Sequence, residues 1–234
     1  MFSLSNCIYF VFQSALFMQQ DKVESLQTLK DIHGIMERSS RFLSLSGWSG
    51  VWAGGTALAG AAIARVWLAD IPGYYRRVYN DTEPYEQMDA DYQSILVKFV
   101  ALALGVLAVA LVGGYYFTHR KAKKDGVSVW NSSSKRMFVE LAIPLATGGV
   151  FAFAFLWNGL ELYIAPICLT FYGLSLINGS KYTHSDIKYL GMAEVLLGCI
   201  CLFVKGYGLL LWTVGFGVLH ILYGSIMWKK YDSK

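Results

Sequence analysis

Six runs of mainly apolar residues, at roughly 44–64, 95–117, 137–157, 160–177, 187–204 and 207–228, constrain this chain more than any other feature. A helix needs about 17–25 such residues to cross a bilayer. Inside hydrocarbon the backbone must satisfy its own hydrogen bonds, so each run is predicted to be an α-helix. None alternates with the two-residue period of an outer-membrane barrel. The last four runs are nearly continuous, broken at Asn158-Gly159, Asn178-Gly179-Ser180 and Lys205-Gly206, which are turn-forming pairs. Hydrophobic residues make up 55% of the chain and charged ones 15%, against about 25% charged in a soluble domain. That balance excludes a typical soluble enzyme, a disordered tail and a nucleic-acid module. The predicted fold class is an all-α integral membrane protein, a six-transmembrane-helix bundle preceded by an amphipathic N-terminal helix.

Lysine and arginine orient the spans. With the N-terminus inside, 15 of the 20 basic residues fall in inner segments. Outer segments hold four, Arg65, Arg76, Arg77 and Lys205, and Lys98 lies within a span. Both termini are therefore expected to be cytoplasmic. Ahead of the first span, Val23, Leu26, Leu29, Ile32 and Met36 recur at spacings of three and four with charged residues opposite, so 18–43 reads as an amphipathic interfacial helix. Residues 1–17 hold no Lys or Arg, and their apolar run is too short to span. They read as a non-native or disordered extension ahead of Met18. Residues 44–228 form the membrane domain and 229–234 a cytoplasmic tail.

The run MERSSRFLSLSGWSGVWAG at 36–54 resembles the opening of a family of uncharacterised multi-helix membrane proteins of Bacteroidetes-type bacteria. The resemblance covers about 30–64. It implies a bacterial inner-membrane protein whose chain starts near Met18, and it implies no activity.

Membrane helices pack through small residues. In the first span Gly47, Gly50, Gly54, Ala57 and Ala61 form a continuous small seam, which predicts a central helix. In the second, Lys98, Ala101, Gly105 and Ala108 share a face. Lys98 is expected either to pair with Glu161 near the outer edge or to snorkel independently, as Glu161 would. In the fifth and sixth spans, Gly191, Glu194 and Gly198, and likewise Gly217, His220 and Gly224, place an ionisable residue between glycines at −3 and +4. Each trio lies on one helix face, and the tight Lys205-Gly206 turn makes the two helices antiparallel neighbours. Counted from that turn, the two ionisable residues lie within a helical turn of each other in depth. A Glu194–His220 pair in the inner half of the membrane follows, with Glu140 on the third span positioned to join it. Such a pair serves either a proton relay or ligand site or simply helix register.

The chain is read as a small transporter or membrane-bound sensor using this cluster. The alternatives are a structural or accessory subunit without substrate, and an intramembrane hydrolase. The last arises because Gly47-Trp48-Ser49-Gly50 resembles the GxSG motif of rhomboid proteases, which also place a histidine on their last helix; Ser49 and His220 would form the dyad. Here the motif sits on the first helix rather than the fourth, and the oxyanion residues have no match.

No cofactor and no metal are expected. His33 and Glu37 lack further ligands, and the acidic outer loop 65–94 fits no calcium-binding loop. Cys7, Cys168, Cys199 and Cys201 read as free thiols. The expected partners are the lipid bilayer, a small-molecule or proton ligand and a second copy of the chain, with no nucleic acid.

Overall fold

A computed structural model describes residues 45–70 and 90–233, together with Gln27, Leu29 and Ile32. Those three isolated positions are helical and exposed, and they belong to a unit, Met1–Arg41, separate from Phe42–Lys234. The 1–17 extension, the rest of the amphipathic helix, His33, Glu37 and residues 71–89 of the acidic loop lie outside the described residues.

The described chain is helical, with no strand among its described residues. Helix α1 is Gly47–Ala69, α2 is Ala90–Lys124 and α3 is Ser132–Trp157. A 3-10 turn at Glu161–Tyr163 leads into α4, Ile164–Gly179, followed by α5, Ile187–Phe203. The last helix, α6, runs over Gly208–Asp232. Within it, α-helical Gly208–Trp212 and His220–Met227 alternate with π-helical Thr213–Leu219 and Trp228–Asp232. Five segments, Gly47–Ala69, Gln93–Lys124, Ser132–Trp157, Glu161–Tyr182 and Gly208–Asp232, are long and apolar enough to cross a membrane. Helix α5 is shorter: 17 residues, or about 26 Å at 1.5 Å per residue.

Small residues dictate how these helices pack, because only they let two backbones meet. Helix α1 lies between α2 and the second half of α6, while α6 also touches α4 and α5, and α4 joins α3 to α5. The centre expected at α1 is thus occupied by α4 and α6. The small seam of α1 covers one face only; Trp48, Trp52, Ile63 and Val66 elsewhere on it are exposed. Along that seam, a Cβ on Gly50 would lie 3.0 Å from Gly224 Cα, and one on Gly54 would lie 2.6 Å from Gly217 O. Helix α2 packs on α1 where Val106 sits against Gly60, and where Trp52 sits against Gly113 and donates from Nε1 to Val109 O at 3.0 Å. Helix α3 is tied to α4 where Ser175 Oγ donates to Leu141 O at 2.7 Å. That bond falls in the turn before Pro144, whose missing N–H interrupts the helical ladder.

At one end of the bundle the C-terminal turn of α6 gathers the other helices. Asp232, its side chain 10% exposed, accepts from Gly47 N at 2.8 Å, Ser46 Oγ at 3.1 Å and Lys121 Nζ at 2.5 Å. Residues past 228, expected as a tail, therefore continue the helix through Asp232 and pack. A carboxylate on the first amides of α1 is also where the helix dipole favours negative charge. From the same turn, Lys230 Nζ and Tyr231 Oη donate to Asp186 in the α4–α5 connection, at 2.6 and 2.9 Å. The rings of His184 and Tyr231 lie 4.0 Å apart.

Candidate functional site

Glu194 is carried on the buried face of α5, between Gly191 and Gly198. Both glycines face α4 rather than α6: a Cβ on Gly191 would lie 2.7 Å from Gly173 O, and one on Gly198 would lie 3.1 Å from Pro166 O. Close contact with α4 leaves the Glu194 side chain directed toward α6. Gly215 makes room for it there, since a Cβ at that position would lie 2.5 Å from Glu194 Oε2. The side chain is fully enclosed, at 0% exposure. Neither of its oxygens receives a hydrogen bond from a described residue.

His220 follows the π-helical stretch. Its Nδ1 lies 3.4 Å from Glu194 Oε1 and 3.0 Å from Gly215 O, the carbonyl five residues back. A carbonyl only accepts, so Nδ1 carries a hydrogen. In the neutral ring Nε2 is then the acceptor, and Tyr172 Oη on α4 donates to it at 2.8 Å. Phe216 stacks on the His220 ring at 5.8 Å, and Tyr172 packs against Phe216 at 4.9 Å. The π-helix winds more residues into each turn than an α-helix, so it rises less per residue. That narrows the offset in depth left by counting α-helical rise alone.

Glu194 and His220 thus meet across α5 and α6, as the glycine pattern predicts. Gly217 and Gly224 flank His220 but serve a different interface: they pack on Leu58 and on the Gly47–Val51 backbone of α1. Tyr172 and Gly215 complete the site, and neither was singled out from sequence. Tyr172 stands beside Gly173, the glycine that brings α4 onto α5, but that adjacency alone does not distinguish it.

The other expected groupings are not assembled. Glu140 is half-buried on α3, which packs mainly against α4; it makes no hydrogen bond or ion pair with Glu194 or His220. Lys98 is exposed, and Gly105 on its face has nothing within 4 Å. Ala101 and Ala108 on that face are exposed as well, and among the described residues no Lys98–Glu161 ion pair forms. Ser49 Oγ donates to Ser46 O at 2.5 Å, while both ring nitrogens of His220 are engaged elsewhere, so the Ser49–His220 dyad of a hydrolase is absent. Cys168, Cys199 and Cys201 are free. Among the described residues no group of three His, Cys, Asp or Glu side chains could hold a metal ion.

Comparison brings no further assignment: no family model, curated protein or solved structure matches this chain.

A carboxyl group and an imidazole 3.4 Å apart are two proton-binding groups within reach of each other. The pair can take up or release a proton while Tyr172 and the Gly215 carbonyl hold the ring in place. An ionisable group sealed in a bundle of apolar helices is costly, which makes this pair the candidate site.

Proposed function

We propose that this is a six-helix protein of the bacterial inner membrane, with both termini cytoplasmic, in which Glu194 and His220 bind a proton during transport of a small molecule or sensing of pH. The observation that carries the reading is the fully buried Glu194 carboxyl group beside His220, with no hydrogen bond to either oxygen. Orientation rests on the basic residues concentrated at the Asp232 end of the bundle, including Lys121, Lys123, Lys124, Lys229 and Lys230. The sixth crossing is α5, shorter than the rest. Periplasmic labelling of cysteine variants tests the orientation: Asp81→Cys reacts and Lys123→Cys does not, and the reverse pattern overturns it.

A second reading, a structural subunit in which the pair fixes helix register, is favoured by the complete enclosure of Glu194. Glu194→Gln and His220→Gln separate the two. For a proton site, the variants keep their thermal stability in detergent and lose the response of intrinsic fluorescence to pH. For a register pair, each single variant loses stability, by about 3–5 kcal/mol for a broken buried pair, and the double variant regains part of it.

A further inference from the structure

We infer that the end of α2 beside Asp232 holds one anionic phospholipid, its phosphate between His119 and Lys123 and an acyl chain along Trp52 and Val112. The inference rests on the apolar helices crossing a bilayer and is independent of the Glu194–His220 pair.

Two cavities open along α2. The first, of about 460 Å³, lies where the helix ends, between Tyr115, His119, Lys123, Ser128 and Trp130, beside the buried Ala122. The local sequence builds it. Gly126, at φ +68°, reverses the chain, Val127 N donates back to Ala122 O at 3.0 Å, and the Ser128 hydroxyl accepts from Trp130 N at 3.2 Å. The chain thus folds back against its own helix and brings Trp130 to the cavity wall. The His119 ring stacks on Tyr115 at 5.8 Å. Among the described residues, neither the His119 ring nitrogens nor the Lys123 ammonium has a hydrogen bond or an ion pair, and no Asp or Glu lines the cavity. Lys121 on the same turn is, by contrast, bound to Asp232. A cation and an N–H donor without acceptors of their own, walled by Tyr and Trp at the end of a span, suit a phosphate at the level of lipid headgroups.

The second cavity, of about 480 Å³, lies between α1 and α2 and is lined by Trp52, Val109, Val112, Gly113, Tyr116 and Phe117. The Trp52 indole N–H is taken up by Val109 O, so apart from the Tyr116 hydroxyl these side chains offer no hydrogen bond. Hydrocarbon suits them. Val112, Tyr116, His119 and Lys123 follow one another at spacings of 4, 3 and 4, a single stripe of α2 that joins the two cavities. From Val112 to Lys123 is about 16 Å along the helix, and the hydrocarbon of one leaflet is about 15 Å deep. A phospholipid with its phosphate at Lys123 therefore reaches the apolar cavity with a chain, whereas a soluble phosphate compound leaves that cavity unfilled.

Native mass spectrometry of the full chain, released from detergent micelles holding equal amounts of dioleoyl phosphatidylglycerol and dioleoyl phosphatidylcholine, tests the site. One phosphatidylglycerol is retained, about tenfold more than phosphatidylcholine. Lys123→Ala removes that preference, since a hydrogen bond to a charged group contributes about tenfold or more in affinity, and His119→Ala weakens it. Ala108→Phe, which fills the apolar cavity, lowers retention of both lipids. Lys124→Ala, next along the helix and outside the cavity, leaves the preference intact, and glycerol phosphate is not retained. All four positions are exposed, so these variants keep the fold. Equal retention of the two lipids, or equal loss in Lys124→Ala and Lys123→Ala, overturns the site. Retention of glycerol phosphate at the level of the lipid, or lipid retention unaltered by Ala108→Phe, overturns the lipid as its ligand.

Discussion

At Gly215 an added methyl group would lie 2.5 Å from both Glu194 Oε2 and Leu169 Cδ2, two side-chain ends that are themselves fully buried. Neither has free space to move into, so Gly215→Ala forces the carboxyl group out of its place beside His220. Overpacking of this kind costs about 1–3 kcal/mol. The expected outcome is a protein that still folds, unfolds at a lower temperature by differential scanning fluorimetry and loses its pH response; full retention of that response contradicts the role given to Gly215. The Glu194–His220 pair was legible in sequence because glycines at fixed offsets report a buried face. Tyr172 was not, since nothing local distinguishes a tyrosine that bonds to a histidine 48 residues away from one at a lipid edge. Lys98 shows the converse limit: its spacing identified a face, but no spacing says whether another helix lies opposite.

Glycine positions that look alike along the helices differ sharply in what surrounds them. A Cβ on Gly224 would lie 2.5 Å from Val51 N and 2.7 Å from Gly47 O. Both are backbone atoms, so no rotamer change relieves the contact and α1 must move away from α6. Gly105 on α2 has nothing within 4 Å. Gly224→Ala is expected to lose about 1–3 kcal/mol, whereas Gly105→Ala is neutral or gains up to about 1 kcal/mol from the stiffer backbone. Comparing their unfolding midpoints in one detergent checks the contrast, and equal effects would contradict the packing described. Helix existence was legible for the described apolar runs, because hydropathy over about 20 residues is a strong signal. Helix partners were less so: the glycines flanking Glu194 and His220 showed correctly that both faces are interior, yet they serve α4 and α1. The π-helical turns of α6 were not legible, since they depend on contacts such as the Gly215 carbonyl to His220 that form only in the packed bundle.

Over the whole molecule, the Asp232 end is where separate helices are tied together by charge. The hydrogen bond from Lys230 holds the Asp186 carboxyl below the usual carboxylate range, and the bond from Tyr231 adds to this. A carboxyl whose folded pKa is depressed contributes stability that is fully present above its unfolded value, about 3.9, and is lost as pH falls through the lower folded value. The thermal midpoint of the native protein should therefore exceed that of Asp186→Asn near neutrality, with the gap closing only in strongly acid solution; a gap that widens on acidification contradicts the pairing. The bundle architecture itself was only partly legible, because hydropathy orders helices along the chain and says little about which distant ones meet. The longest-range of those meetings, between the start of α1 and the end of α6, has a consequence for biogenesis. A helix inserted early in synthesis finds its closest partner only after every intervening segment has entered the membrane. Until then its glycine seam is without that partner, and the Gly47 amide that Asp232 later caps is left to another acceptor. The seam is thus the last joint of the fold to close.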